Sequence, residues 1–167
     1  MAAFASFSEE KMVATVSFNP NNRIFDPIRR RWVKATPEEQ VRQDLIQRLL
    51  MQGVPAHHIL VEVALNRLPM GTVPSCRAQR RVDLLVAHFF RGKFLPLLLA
   101  ECKAHPPKDA ALGQLLAYQS ALRSRWLVIA SPGQLWVVDT EQTPDTPSAS
   151  LWTHELPNLS AGTSALV

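Results

Sequence analysis

Apolar residues fall in short blocks along this chain, and each block has a readable period. Val41, Leu45, Ile46, Leu49 and Leu50 recur at helical spacing. Directly ahead of them stands Thr36-Pro37-Glu38-Glu39: a capping hydroxyl, a proline at the first helical position and a glutamate at the capping-box position. The pattern predicts a helix that begins at Pro37 and is ended by Gly53 and Pro55. A second helix is predicted over about Asp109–Arg123, with Leu112, Leu115, Leu116, Ala117 and Leu122 as its apolar members.

The other blocks read as strands: Ile59–Leu65, Arg81–Phe90, Phe94–Cys102, Trp126–Ala130 and Gln134–Asp139. The turn at Arg91-Gly92-Lys93 suggests an antiparallel hairpin, and Pro132-Gly133 reads as a turn. A short strand around Met12–Phe18 precedes the turn signal Asn19-Pro20-Asn21-Asn22, and Ile24–Val33 reads as a basic, aromatic-flanked lead-in. After Asp139 periodicity is lost in Thr, Pro and Ser, which reads as a surface tail with Trp152 and Leu156 as anchors. The domain reading is an extension over 1–24, one α/β domain over 25–139 and an acidic tail over 140–167. The order helix, three strands, helix, strand implies a small mixed sheet flanked by helices. Its first three strands form a meander, and the second helix crosses over to a parallel fourth.

With 47% hydrophobic and 19% charged residues, the chain is globular in composition. No apolar run approaches the roughly 20 residues of a membrane helix. The amino terminus has Glu9 and Glu10 and no long apolar core, so it does not read as a secretory signal. Cys76 and Cys102 have no metal-type spacing and read as two reduced thiols, which fits a cytoplasmic protein with no membrane partner. Charge is unevenly spread: after Arg125 there is no Lys or Arg. Between Arg67 and Lys93, Asp83 is the lone acid among basic residues. Arg29, Arg30 and Arg31 before the first helix, with Arg77, Arg80 and Arg81 before Asp83, suggest a surface for nucleic acid. A solvated basic loop would have the same composition.

Chemistry concentrates in two runs. Leu98–Ala100 is an apolar stretch that ends in Glu101-Cys102-Lys103, and Glu101 and Lys103 share a face by strand alternation. Asp83 places a second acid inside the preceding strand. Asp83 and Glu101 can supply two oxygens to a magnesium ion, with manganese as a substitute, and the main-chain carbonyl of Cys102 a third. Lys103 then has an electrostatic and positioning role. Glu39 reads as a helix cap or a supporting acid, and Glu62 as facing either the site or solvent. Gln114 and Tyr118, at i and i+4, share one helix face, turned to the cleft or partly exposed. The five histidines show no zinc-ligand spacing.

Several of these segments occur together in one order: Phe25-Asp26-Pro27-Ile28-Arg29, Trp32-Val33, Pro37-Glu38-Glu39, Val41-Arg42-Gln43, Glu62, Arg81-Val82-Asp83, Glu101-Cys102-Lys103-Ala104 and Gln114-x-x-x-Tyr118. From Phe25 to Val138 the chain resembles the amino-terminal nuclease domain of type I restriction enzyme R subunits. That domain belongs to the PD-(D/E)xK superfamily, with RecB-like features. The resemblance implies a restriction-endonuclease-like α/β fold and a magnesium-dependent deoxyribonuclease. Asp83 and Glu101 are then metal ligands, Lys103 the catalytic lysine, and Glu39, Gln114 and Tyr118 supporting residues. It also implies DNA as partner; since the chain contains no Walker lysine loop, it is expected either as a stand-alone member or as one that works with a separate helicase, translocase or restriction subunit. Two other readings compete. One is a nucleic-acid-binding module that cuts poorly or not at all beside such a partner. The other is an interaction protein that keeps Asp83, Glu101 and Lys103 as a structural ion pair.

Overall fold

The structure is a computed structural model describing residues 18–19, 21–69, 80–106, 109–141 and 155–159. Its elements follow local chemistry. Helix α1 (Pro37–Met51) begins where the Thr36 hydroxyl accepts from the Glu39 amide, with Pro37 in the first turn, and Gly53 beyond its end has φ +86°. Ahead of it, β1 (Phe18–Asn19), β2 (Arg23–Asp26) and β3 (Arg31–Lys34) form an antiparallel sheet in that order. The segment read as a lead-in is therefore a hairpin. Its turn contains no glycine. The Asp26 carboxylate closes it by accepting from the Ile28 and Arg29 amides at 2.8 and 2.7 Å, and Arg30 takes the left-handed conformation with φ +52°. Two strands of four residues and a turn built on aspartate leave little periodic signal. The strand expected over 12–18 lies almost wholly outside the described residues.

The main sheet contains β4 (Ile59–Ala64), β5 (Arg81–Phe90), β6 (Lys93–Cys102), β7 (Trp126–Ser131) and β8 (Gln134–Asp139), in that spatial order. β4, β5 and β6 pair antiparallel, α2 (Asp109–Leu122) carries the chain to β7 parallel to β6, and β8 returns antiparallel. The β5–β6 loop is the two residues Arg91-Gly92, both at positive φ, as a tight hairpin with the natural strand twist requires. Pro96 lacks an amide, and β6 accommodates it opposite Ala87, where β5 bulges and β7 has not yet begun to pair.

Both faces of the sheet are covered. On one face Val41, Leu45, Ile46 and Leu49 of α1 pack on Leu84, Val86, Leu98, Ala100, Val128 and Val137. On the other, Ala111, Leu115, Tyr118 and Leu122 of α2 pack on Leu85, Leu99, Leu127, Ile129 and Val138. This double burial is why β5, β6 and β7 read as nearly continuous apolar runs. The tail is not wholly external: Leu156 packs on the α1-side core and Leu159 is buried in it. Trp152 lies outside the described residues. β2 begins at Arg23, so it crosses the 24/25 position drawn as a domain boundary. Among the described residues, no helix is long and apolar enough to cross a membrane.

At the far end of β5, His57, His58 and His88 form a cluster of inclined rings, with centroids 4.2 Å apart for His57–His58 and 4.0 Å for His58–His88 and interplanar angles of 65° and 55°. Burial first, and the neighbouring imidazoles second, hold the pKa of His58 and His88 below the ordinary value. The unfolded chain therefore takes up protons before the folded one as pH falls through about 6.5. Stability contributed by the neutral cluster is present above that pH and is lost below it. A His58→Phe/His88→Phe variant keeps packed rings without a titrating nitrogen. It should lose less stability than wild type between pH 7 and pH 5, read as the difference in urea midpoints. Equal losses would show that the cluster does not resist protonation.

Candidate active site

The β5–β6 ladder ends early on one side. Leu84 pairs with Ala100, and beyond that pair the strands part, although β5 continues back to Arg81 and β6 on to Cys102. Asp83 and Glu101 sit at this split. The Asp83 carboxylate takes the place of the missing strand partner: the Cys102 amide donates to its Oδ2 at 2.8 Å. Val82 packs in the α2-side layer and Leu84 in the α1-side layer, whereas residues two apart in a regular strand share a face. β5 is thus rotated at Asp83, which turns the carboxylate into the gap.

Glu101 is buried, and the Lys103 Nζ donates to its Oε1 at 2.7 Å. Its Oε2 is buried with no hydrogen-bond partner. Burial, and then the Asp83 charge, push the Glu101 carboxyl up to about 7 against the pull of Lys103. The Lys103 ammonium is held charged: burial opposes this, but the bond and charge of Glu101, and Asp83 behind it, raise its pKa. The Cys102 side chain points away into the α1-side core, where burial raises its pKa and keeps it a neutral thiol.

A second shell of charge surrounds Asp83. Arg42 of α1 donates from Nη2 to Asp83 Oδ1 at 3.0 Å and from Nη1 to Glu39 Oε2 at 2.5 Å, with Glu62 Oε1 at 3.4 Å. Burial opposes the Arg42 charge, but Asp83 and Glu39 overcome it and raise its pKa. Arg29, from the β2–β3 turn, donates to Asp26 at 2.5 Å, to Glu62 at 2.6 Å and to Glu39. Gln43 donates to both Asp26 and Glu39 at 2.8 Å. Glu62 reaches this network at a backbone cost. It lies within β4 with φ +50°, opposite Asp83 between the pairs Val61–Leu84 and Val63–Val82. A non-glycine residue in that region costs on the order of 1–3 kcal/mol, and from it Glu62 accepts from both Arg29 and Arg42.

Gln114 and Tyr118 brace the same corner. The buried Tyr118 hydroxyl donates to the Arg81 carbonyl at 2.9 Å, and Gln114 Nε2 donates to that hydroxyl at 3.1 Å. The pair therefore positions the start of β5, two residues before Asp83, and does not brace Lys103.

Of the residues singled out from sequence, Asp83, Glu101, Cys102 and Lys103 come together at the split, with Glu39 and Glu62 one arginine away. Arg29 was expected on a nucleic-acid surface. It is instead mostly buried and committed to three carboxylates. Glu39 and Glu62 are held by arginines, so neither reaches the Asp83–Glu101 gap as a free ligand. Arg30, Arg31, Arg80 and Arg81 are exposed, and Arg77 lies outside the described residues. Sequence reasoning gave no role to Asp26, Arg42 and Gln43. Their signal was present: Glu39, Arg42 and Gln43 have i, i+3, i+4 spacing beside the apolar stripe of α1.

Among the described residues, no group of three or more His, Cys, Asp or Glu side chains is gathered as a metal cage. The split instead offers two mutually repelling carboxylates, one with a buried orphan oxygen. Such a pair fits a hard cation that keeps most of its own waters. Among the described residues, Asp26, Glu39, Glu62, Asp83 and Glu101 pair only with Arg29, Arg42 and Lys103, so negative charge is in excess and the excess is greatest when Glu101 is ionised. No curated protein and no solved structure matches the chain. A family model does: that of the type I restriction enzyme R protein N terminus matches residues 37–151, from the start of α1 to beyond β8, and the chain belongs to that family.

Proposed function

We infer that this protein is a metal-dependent nuclease of the restriction-endonuclease-like, PD-(D/E)xK type, hydrolysing phosphodiester bonds of DNA in the cytoplasm. It would act as a relative of the R-subunit domain beside a separate helicase, translocase or restriction subunit. One observation carries this reading: Asp83, Glu101 and Lys103 converge where β5 and β6 part, and Glu101 holds a buried oxygen without a partner. Asp83, Glu101 and the Cys102 carbonyl would hold Mg2+, or Mn2+ in its place. When bound, that ion supplies Lewis acidity toward a phosphoryl oxygen and toward a water.

The chain's own residues do the rest. Lys103, anchored at 2.7 Å on Glu101, offers the remaining ammonium protons to a phosphate or an attacking water. Its stabilised charge suits it to the role of an electrostatic donor. Arg42 fixes the Asp83 rotamer through Oδ1, and the Cys102 amide fixes it through Oδ2. The carboxylate is thereby aimed before substrate arrives. Tyr118 holds β5 at the Arg81 carbonyl and keeps the split at constant width.

Asp83→Asn keeps an oxygen for the Cys102 amide, and Glu101→Gln keeps the side-chain volume. Each should abolish Mg2+-dependent cleavage of plasmid DNA and the calorimetric Mg2+ signal while the protein stays folded. Wild-type metal binding by Glu101→Gln would overturn the ligand assignment.

Lys103→Met should retain Mg2+ binding but slow single-turnover cleavage by on the order of a hundredfold or more, as loss of a transition-state donor commonly does. An unchanged rate would leave Lys103 as a counter-ion only.

Below about pH 7 the Glu101 carboxyl is protonated, so metal binding there must release a proton. Mg2+ affinity should rise from pH 6 to pH 8, with a binding enthalpy that varies with the buffer's ionisation enthalpy. Glu101 should also make the metal-free protein more stable in acid. Its folded pKa of about 7 lies above the ordinary 4.5, so its contribution is complete below about 4.5 and is lost as pH rises through 7. Glu101→Gln should remove that slope, and a pH-independent Mg2+ affinity would contradict the assignment.

A further inference from the structure

The β2–β3 hairpin has a face that the catalytic reading does not use. Strand alternation puts Arg23 and Phe25 on one side of β2, and the register sets them opposite Lys34 and Trp32 of β3. All four are exposed, with Phe25 at 39% and Trp32 at 41%. The two rings lie 5.5 Å apart and are inclined at 66°, an edge-to-face contact in which the edge of one meets the face of the other and both rings stay partly exposed. The reverse side behaves normally: Ile24 is fully buried, as is Asp26, which is paired with Arg29. Exposed rings on this side are not a fault of a small sheet that failed to find a core. The hairpin has a core side and keeps its aromatics off it.

The charges around the rings select the ligand. Among the described residues, Arg23, Arg30, Arg31 and Lys34 form no ion pair, and the hairpin's single carboxylate is buried on the other side. Two apolar rings flanked on their own side by the free cations Arg23 and Lys34, with Arg30 in the adjoining turn, suit a polyanion that carries flat apolar groups along its length. We propose that the Arg23–Phe25–Trp32–Lys34 face is a binding platform for single-stranded nucleic acid, with unpaired bases stacked on Phe25 and Trp32 and phosphates taken by the flanking basic residues. A duplex keeps its bases stacked on each other and can offer the platform only phosphates.

The platform is tied to the split in the main sheet. Arg29 in its turn shares Glu39 and Glu62 with Arg42, and Arg42 continues to Asp83. A strand held on the hairpin is therefore held by the same rigid unit that positions the Asp83 carboxylate. This use of the platform rests on the nuclease reading; the binding itself does not.

The test is run in chelator on the full chain, so that cleavage plays no part. The probes are a labelled oligothymidylate, its duplex with oligoadenylate, and heparin, which has charge without bases. The wild type should bind the single strand more tightly than the duplex, with quenching of tryptophan emission. Phe25→Ala/Trp32→Ala should lose on the order of tenfold or more in affinity for oligothymidylate and little for heparin. Trp32→Phe should restore most of the loss. Arg23→Gln/Lys34→Gln should weaken all three probes. Thermal melting close to that of wild type would confirm that each variant is folded, as expected for exposed positions. The platform is overturned if the aromatic double variant binds oligothymidylate like wild type, if the duplex binds as tightly as the single strand, or if no strand binds. Strand binding by a protein that never cleaves would sink the catalytic reading and leave the platform standing. Cleavage with unaltered binding by the aromatic variant would do the reverse.

Discussion

The Asp83 carboxylate spans a break in the main sheet, and the rest of the site depends on that one contact. A strand that leaves its neighbour exposes an amide that must find an acceptor, because a buried unpaired N–H costs about 1–3 kcal/mol. Here the acceptor is a side chain, with the Cys102 amide 2.8 Å from Asp83 Oδ2. The bond closes the split sterically yet leaves an anion in it. That anion sits close enough to the buried Glu101 to raise its pKa. A backbone carbonyl in the same place would have satisfied Cys102 and generated no chemistry.

Holding that anion in place requires the arginines. Arg42 is buried with one nitrogen, Nε, unsatisfied, and Gln43 Oε1 is likewise without a partner. Buried ion pairs of this sort seldom add net stability over apolar packing, since desolvation consumes most of the Coulomb gain. Removing one member is another matter, because it strands its partners' charge. The network is therefore better understood as a device for geometry. It links the hairpin turn, the first turns of α1, the strained Glu62 and the end of β5 into one unit. The strain at Glu62 is concentrated opposite Asp83, where a regular ladder would have pointed the carboxylates elsewhere.

The split in the main sheet and the hairpin in front of α1 carry opposite charge. Around the split, carboxylates outnumber cations, which suits a metal ion and repels bare polyanion. The hairpin in front of α1 has the opposite balance, with free basic side chains around two exposed rings. On the proposed readings, a polyanionic substrate and a metal ion would have separate places to dock.

Much of the fold was legible in the sequence, because local chemistry decides it. Thr36, Pro37 and Glu39 mark a helix start through their own hydrogen bonds and dihedrals, and apolar runs bounded by Arg91-Gly92 and Pro132-Gly133 can only be strands and turns. Asp83, Glu101 and Lys103 stood out because charge inside an apolar strand is rare. The β2–β3 hairpin was not legible, since its turn is closed by the side chain of Asp26 where a glycine would have announced it. Nor were the partners of Arg29, whose cluster with its neighbours resembled a solvated basic patch until folding set it among three carboxylates. Tyr118 was visible as a helix-face residue, but its target, the Arg81 carbonyl, lies 37 residues away in the chain. By itself, the sequence determined both helices and the five strands of the main sheet and singled out Asp83, Glu101 and Lys103, because those signals depend on interactions within a few residues. Only the tertiary structure decided which charges neutralise each other and which remain free, because that depends on distances across the sheet that no local pattern encodes.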